Sequence, residues 1–193
     1  MTTNGQAPRP NWEMTLTATT AEQTHALALR LAAVLQAGDL LVLSGGLGAG
    51  KTTFTQGLGE GLGVREGIIS PTFVLVRIHP NLPAGPRPGG PDLVHVDAYR
   101  LDSAAEIDDI DLENTLDSSV TVVEWGRDRV EHLSESRLEI DLHRAVGLDD
   151  GLPSAGLDFD TDDADEPRTI VMRGYGPRWP EAPELGAARE GVR

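Results

Sequence analysis

Gly45-Gly46-Leu47-Gly48-Ala49-Gly50-Lys51-Thr52 fits the pattern G-x-x-x-x-G-K-[ST] of a nucleotide-binding P-loop, and its setting decides the fold. Lys51 is the only lysine in the chain; every other cationic side chain is arginine. A compact, flexible ammonium is therefore kept where a phosphate loop needs one. Glycines at 45, 46, 48 and 50 let the backbone curl and aim successive N–H groups at one anion, beside a helix N-terminus whose dipole favours negative charge. The apolar run Asp39–Ser44 precedes the loop and reads as a buried parallel strand. Phe54, Leu58 and Leu62 follow it at helical spacing. A Gly-rich turn between two core elements is the bland alternative, and the order strand, loop, helix argues against it. Gly57, Gly59 and Gly61 weaken that helix by up to about 1 kcal/mol each, so packing must hold it.

Working outward, 193 residues allow one domain with a real core. A net charge of −15 argues against a chain that grips a nucleic-acid backbone by itself, since that needs a basic face. Without cysteine there is neither a disulfide framework nor a thiolate metal site. The polar stretch Met1–Glu13 offers no apolar signal core and no run reaches membrane-spanning length. The expectation is a soluble, cytoplasmic protein with no membrane contact.

Before the loop, Thr20-Ala21-Glu22-Gln23 matches a capping box, and Leu27, Leu31, Val34 and Leu35 form the apolar face of a first helix. After it, Phe73–Ile78, Leu93–Val96 and Val120–Val123 read as strands. Alternation at Leu138, Ile140 and Leu142, and at Ile170 and Met172, suggests an antiparallel pair near the C-terminus. The expected architecture is a three-layer α/β P-loop NTPase domain over residues 14–175, with a mostly parallel sheet. Flexible loops are expected at 80–92 and 147–167, the second too acidic to bury, and disordered tails at 1–13 and 176–193. No internal repeat is found.

Phosphate chemistry also needs carboxylates near a magnesium ion, so acids at the ends of apolar strands are the informative positions. Asp97 follows Leu93-Val94-His95-Val96, and Glu124 follows Val120-Thr121-Val122-Val123. A parallel sheet delivers both to the edge that carries the P-loop. The pattern does not rank them by closeness to the metal. A strand-end acid is often a cap or surface charge, but two in a P-loop chain favour function. His95, on an alternating strand, reads as a packed or exposed side chain rather than a catalytic base. Lys51 would reach the β- and γ-phosphates and the Thr52 hydroxyl would ligate Mg2+.

Four motifs in order then resemble one family: Leu43–Thr53, Ser70-Pro71-Thr72-Phe73, His95-Val96-Asp97-Ala98-Tyr99-Arg100-Leu101 and Val123-Glu124-Trp125. Together they are similar to the bacterial TsaE (YjeE) ATPases of tRNA threonylcarbamoyladenosine biosynthesis, over about residues 14–175. The resemblance implies slow, Mg2+-dependent ATP hydrolysis in concert with TsaD and TsaB, which handle tRNA, so that tRNA is met only through these partners. By position it implies that Leu47, Gly48, Ala49, Gly50, Lys51, Thr52 and Thr53 hold the nucleotide. It gives Lys51, Asp97 and Glu124 catalytic roles and Thr52, Glu124 and Asp97 roles at the metal. Ser70-Pro71-Thr72 resembles a switch-like loop that responds to the γ-phosphate. Thr24 and Arg168 resemble peripheral nucleotide contacts, and Trp125 and Arg127 stand beside the site; a solvent-facing helix residue, a surface charge and a core aromatic are the plainer readings of Thr24, Arg168 and Trp125. One departure is Gly46, where the family has an acid, which leaves the backbone cradle intact and bears on turnover or partner contacts.

Three competing readings exist. A small GTPase fails, because guanine recognition there uses an Asn/Thr-Lys-x-Asp element and no second lysine exists. A small-molecule or nucleoside kinase would use Asp97-Ala98-Tyr99-Arg100 as base and phosphate clamp. An ATP-gated adaptor would use nucleotide state to bind partners, with Glu106–Glu113 as a docking surface or simply a solvated helix face.

Overall fold

Along the chain run β1 (Trp12–Ala18), α1 (Ala21–Ala32), β2 (Leu40–Ser44), α2 (Lys51–Leu62), β3 (Val76–His79), β4 (Asp92–Asp97), α3 (Glu113–Leu116), β5 (Ser119–Glu124), β6 (Arg137–Arg144) and β7 (Arg168–Tyr175). They come from a computed structural model that describes residues 8–71, 74–101, 106–107, 112–144 and 167–186. The strands form one seven-stranded sheet in the order β1-β7-β6-β2-β5-β4-β3. Its centre, β6-β2-β5-β4, is parallel, and antiparallel strands flank it on both sides. This is the expected α/β P-loop fold, including the antiparallel β6–β7 pair, in which Ile140 faces Met172 and Leu142 faces Ile170.

Apolar side chains leave both faces of the central strands, as a sheet covered on two sides requires. Leu41, Leu43, Val120 and Val122 join Leu27, Leu31, Phe54, Leu58 and Leu62 of the helices in one core. Leu40, Val42, Val94, Val96 and Val123 join Ile107, Leu112, Leu116 and Val130 in a second core on the other face. Ile107 and Leu112 thus belong to the interior, and residues 108–111 of the acidic segment lie outside the described residues. The helices α1 and α2 cross at the glycines. A Cβ on Gly57 would stand 2.3 Å from the His25 carbonyl oxygen, and one on Gly61 would stand 2.5 Å from Ala32 Cβ. The glycines that weaken α2 in isolation are what let it lie against α1.

Several boundaries differ from expectation. β1 was not anticipated; it pairs with β7 from Trp12 to Ala18, so the fold begins before residue 14. Its alternation Met14, Leu16, Ala18 was legible, but the intervening threonines favour no face strongly. Val34 points outward while Leu35 is buried, because α1 ends at Ala32 and helical phase no longer holds. The strand expected over 73–78 is Val76–His79, displaced by Leu75, whose φ is 65°. The loop at 80–92 is tied to the body: Arg87 donates to the carbonyls of Ala32 and Leu35 at 3.1 and 2.8 Å, and Asn81 Nδ2 donates to Leu62 O at 2.9 Å. These donors satisfy carbonyls that helix ends leave unpaired. The C-terminal tail expected from 176 packs as far as Leu185. Trp179 is buried, Trp12 Nε1 donates to Trp179 O at 3.1 Å, and Arg178 Nε reaches Asp39 Oδ1 at 3.0 Å. Residues 1–7, 187–193 and nearly all of the acidic loop at 147–167 lie outside the described residues. Among the described residues no helix is long and apolar enough to cross a membrane.

Candidate functional site

β2 ends at Ser44, the chain turns through residues 45–50, and α2 begins at Lys51. The turn depends on its glycines at two points above all. Gly45 has φ 153° and a Cβ there would stand 2.5 Å from Leu142 O; Gly50, the residue before the helix, has φ 98°. Both are conformations that side chains resist. Lys51 is buried and its ammonium donates to the carbonyls of Gly45 at 2.9 Å and Gly46 at 3.0 Å. It also stands 4.2 Å from the centre of the Trp125 ring. Burial pulls the proton affinity of Lys51 below that of a free lysine, and the charges of Glu124 and then Asp97 oppose that shift. The lysine therefore lies within the field of both carboxylates.

Strand register explains why. Leu43 of β2 stands opposite Glu124 of β5, and Glu124 stands opposite Asp97 of β4. Both acids are buried beside the loop at the C-terminal ends of parallel strands. Asp97 Oδ2 accepts from Ser70 Oγ at 3.1 Å and Oδ1 from the Tyr99 amide at 2.9 Å. Glu124 Oε1 lies 2.8 Å from His95 Nε2. Trp125, at φ 61°, donates its amide to Leu43 O and packs its ring 5.3 Å from that of Tyr99. Ser70 and Pro71 are described, and Thr72 and Phe73 lie outside the described residues.

The peripheral residues divide. Thr24 is fully buried; a Cβ on Gly50 would sit 3.8 Å from its methyl and 3.4 Å from Arg168 Nε, so both adjoin the loop. Leu47 is exposed at the tip, and Thr52 and Thr53 are half-buried in the first turn of α2. Arg127 is paired with Asp141, which stands opposite Ser44 and also takes Arg173 Nη1 at 2.6 Å. One neighbour was not found by sequence reasoning. Arg144 approaches Gly48, a Cβ there lying 3.3 Å from Nη1, and stands opposite Arg168 in the β6–β7 register. A long intervening segment hides that pairing from pattern reading. His95, expected to be packed or exposed, is packed, and on Glu124; its position two residues before Asp97 was the available signal.

A cavity of about 850 Å3 lies elsewhere, between β1, α1 and residues 183–186, lined by Met14, Leu16, Leu27, Arg30 and Leu185 among others. It lacks the convergent carboxylates and glycine loop of the sheet edge. Among the described residues no three His, Asp or Glu side chains converge as a metal cage.

The family model described as Threonylcarbamoyl adenosine biosynthesis protein TsaE matches residues 18–148. This chain belongs to the TsaE family. It is 52% identical over 157 residues to the Streptomyces coelicolor tRNA threonylcarbamoyladenosine biosynthesis protein TsaE, covering 81% of this chain and 93% of that one. The Bacillus subtilis protein of the same name is 39% identical over 125 residues, 64% of this chain and 73% of that one. Among solved structures, Bacillus subtilis YdiB is similar with a TM-score of 0.62 and 29% identity, covering 86% of this chain and 88% of that one. The TsaE match spans the loop, both strand-end carboxylates and the His95 segment.

Proposed function

We propose that this chain binds ATP with Mg2+, hydrolyses it slowly, and serves threonylcarbamoyladenosine modification of tRNA in concert with TsaD and TsaB. The observation that carries the reading is the alignment of Glu124 and Asp97, side by side in register, beside a loop whose only lysine lies in their field. The role in tRNA modification rests on family membership. The residues fit the ligands. Gly45 and Gly50 hold a turn that a side chain would block, as a backbone phosphate cradle requires, and the acids supply hard oxygen donors of the kind Mg2+ takes. Few protein donors suffice, because Mg2+ commonly keeps water and phosphate oxygens in its shell.

The amides of residues 47–52 would hold the phosphates while Lys51 moves from the carbonyls of Gly45 and Gly46 to the β- and γ-phosphates. Thr52 and Glu124 would hold the metal, with Asp97 at its side or at its water shell. Bound Mg2+ supplies charge neutralisation on the phosphate oxygens as the terminal bond breaks. Ser70, bonded to Asp97, ties the segment before residue 72 to that centre, so phosphate occupancy would be felt there. Thr24, Arg168, Trp125 and Arg127 would border the nucleotide. With net charge −15, contact with tRNA falls to the partners, and a cytoplasmic setting follows from that role.

The kinase reading predicts rapid phosphoryl transfer to a small acceptor without partners. An ATP-gated adaptor is favoured by one feature: Leu47, Ile69, Val74 and Tyr99, large apolar side chains on the loops bearing the site, are exposed. The experiment that separates these is ATP turnover by the purified chain, alone and with TsaD, TsaB and tRNA. Slow solitary turnover raised by the partners supports the proposal; fast transfer to a small acceptor contradicts it.

A further inference from the structure

We propose that His95 is a positioning residue for Glu124, fixing one carboxylate oxygen so that the other is presented to Mg2+. The inference rests on the proposed metal role of Glu124 and adds a residue to it. His95 is completely buried, lying in β4 between Val94 and Val96 and opposite Val122 of β5. A histidine in such a place costs about 1–3 kcal/mol unless its polar atoms are bonded. Its hydrogen-bond partner is Glu124, with Nε2 2.8 Å from Oε1. Nδ1 is buried without a hydrogen bond. A carboxylate that ligates Mg2+ only accepts, so in the proposed metal site the hydrogen of that pair lies on Nε2 and His95 donates.

That bond does more than satisfy a buried acid. A glutamate has three rotatable torsions and swings freely unless held, whereas β4 and β5 are adjacent parallel strands whose spacing fixes the imidazole against the carboxylate. With Oε1 occupied by His95, the remaining lone pairs are those of Oε2 and the free side of Oε1. Donors of this kind, outside the ligand set but bonded to a ligand, typically change metal affinity by about 10- to 100-fold when removed. The neighbouring ring of His79 lies 6.5 Å away at a tilt of 38°, and His95 is itself completely buried, so the imidazole has little room to turn.

The test compares His95→Gln, which keeps an N–H donor, with His95→Met, of similar length without one. ATP binding by the whole chain is followed calorimetrically in EDTA and across a Mg2+ series. The expected result for His95→Met is an ATP affinity in EDTA within about twofold of the parent, and a Mg2+ half-saturation raised about tenfold or more. His95→Gln should recover much of that shift. A folded His95→Met chain with unchanged Mg2+ half-saturation overturns the inference, as does an equal loss in both variants confined to thermal stability. If His95→Met does not fold, the parent decides: the Nε2–H resonance of His95 should move when Mg2+ joins the ATP complex, and a stationary resonance overturns the inference. Should the parent itself bind ATP with no Mg2+ dependence, the proposed function fails instead, a distinct outcome.

Discussion

At the scale of single residues, the account turns on three charges at one sheet edge. Lys51 is held in a buried position by two loop carbonyls and by the field of Glu124 and Asp97. Replacing Lys51 with Ala removes the only ammonium of the site, and nucleotide-dependent function should be abolished; normal ATP affinity with unchanged complementation contradicts the assignment. Glu124→Ala should lose Mg2+-dependent turnover by about 100-fold or more while retaining ATP binding without metal, in line with the loss of a preorganised charge at a reacting centre. An unaltered turnover number removes Glu124 from the site. Most of this was legible in the sequence, because a lone lysine in a glycine loop and acids closing apolar runs each have a mechanical meaning. What was not legible is who touches whom: His95 read as packed or exposed, and only the β4–β5 register reveals that it packs on Glu124. Arg144 and Arg168 stand opposite one another across a segment that hides them from any local pattern.

At the scale of elements, α2 carries the loop and α1 braces α2. The glycines of α2 read locally as weaknesses, and the crossing with α1 reverses that reading. Gly57→Ala gains up to about 1 kcal/mol of helix propensity. It also drives a methyl to 2.3 Å from the His25 carbonyl, and overpacking of this kind costs about 1–3 kcal/mol. The variant should therefore be net destabilised, read as a lower urea midpoint at unchanged slope; a raised midpoint would mean the helices can part at no cost. The N-cap was legible and partly altered. Thr20 Oγ1 accepts from the Gln23 amide at 3.2 Å as a capping box requires, but Gln23 Oε1 accepts from the Thr19 amide at 2.8 Å instead of that of Thr20. β6 differs more. Its polar positions Glu139 and Asp141 alternate as if solvated, yet both are buried because arginines cover them: Arg137 reaches Glu139 at 3.0 Å, and Arg173 and Arg127 reach Asp141. Alternation announces a strand but not what lies on its polar side.

For the whole molecule, residues 11–18 and 176–185 meet at one margin of the sheet. The polar start and the Pro-, Gly-rich end gave no periodic signal, since single aromatic anchors carry no period. Trp179 is nonetheless buried, and Trp12 donates to its carbonyl. Trp179→Ala should cost about 3–5 kcal/mol in chemical unfolding. A cost near zero would mean that residues 176–186 are not part of the cooperative unit. Acid sensitivity offers a second global test. Burial, followed by the nearby His95 and Arg77, holds the His79 imidazole below the usual histidine range. The unfolded chain then binds a proton that the folded chain refuses, so stability is full above about pH 6.5 and is lost as pH falls through the folded value. The fall in urea midpoint between pH 7.5 and 5.5 should be smaller in His79→Phe than in the parent; equal falls would place the sensitivity elsewhere. The most direct test of the central claim is ATP turnover by the purified chain and its Lys51→Ala variant, alone and with TsaD and TsaB, with tRNA modification followed in the same reactions. The account predicts slow solitary turnover, stimulation by the partners, repeated modification only while ATP is hydrolysed, and loss of all three in the variant. Full modification by Lys51→Ala, or turnover indifferent to the partners, would contradict it.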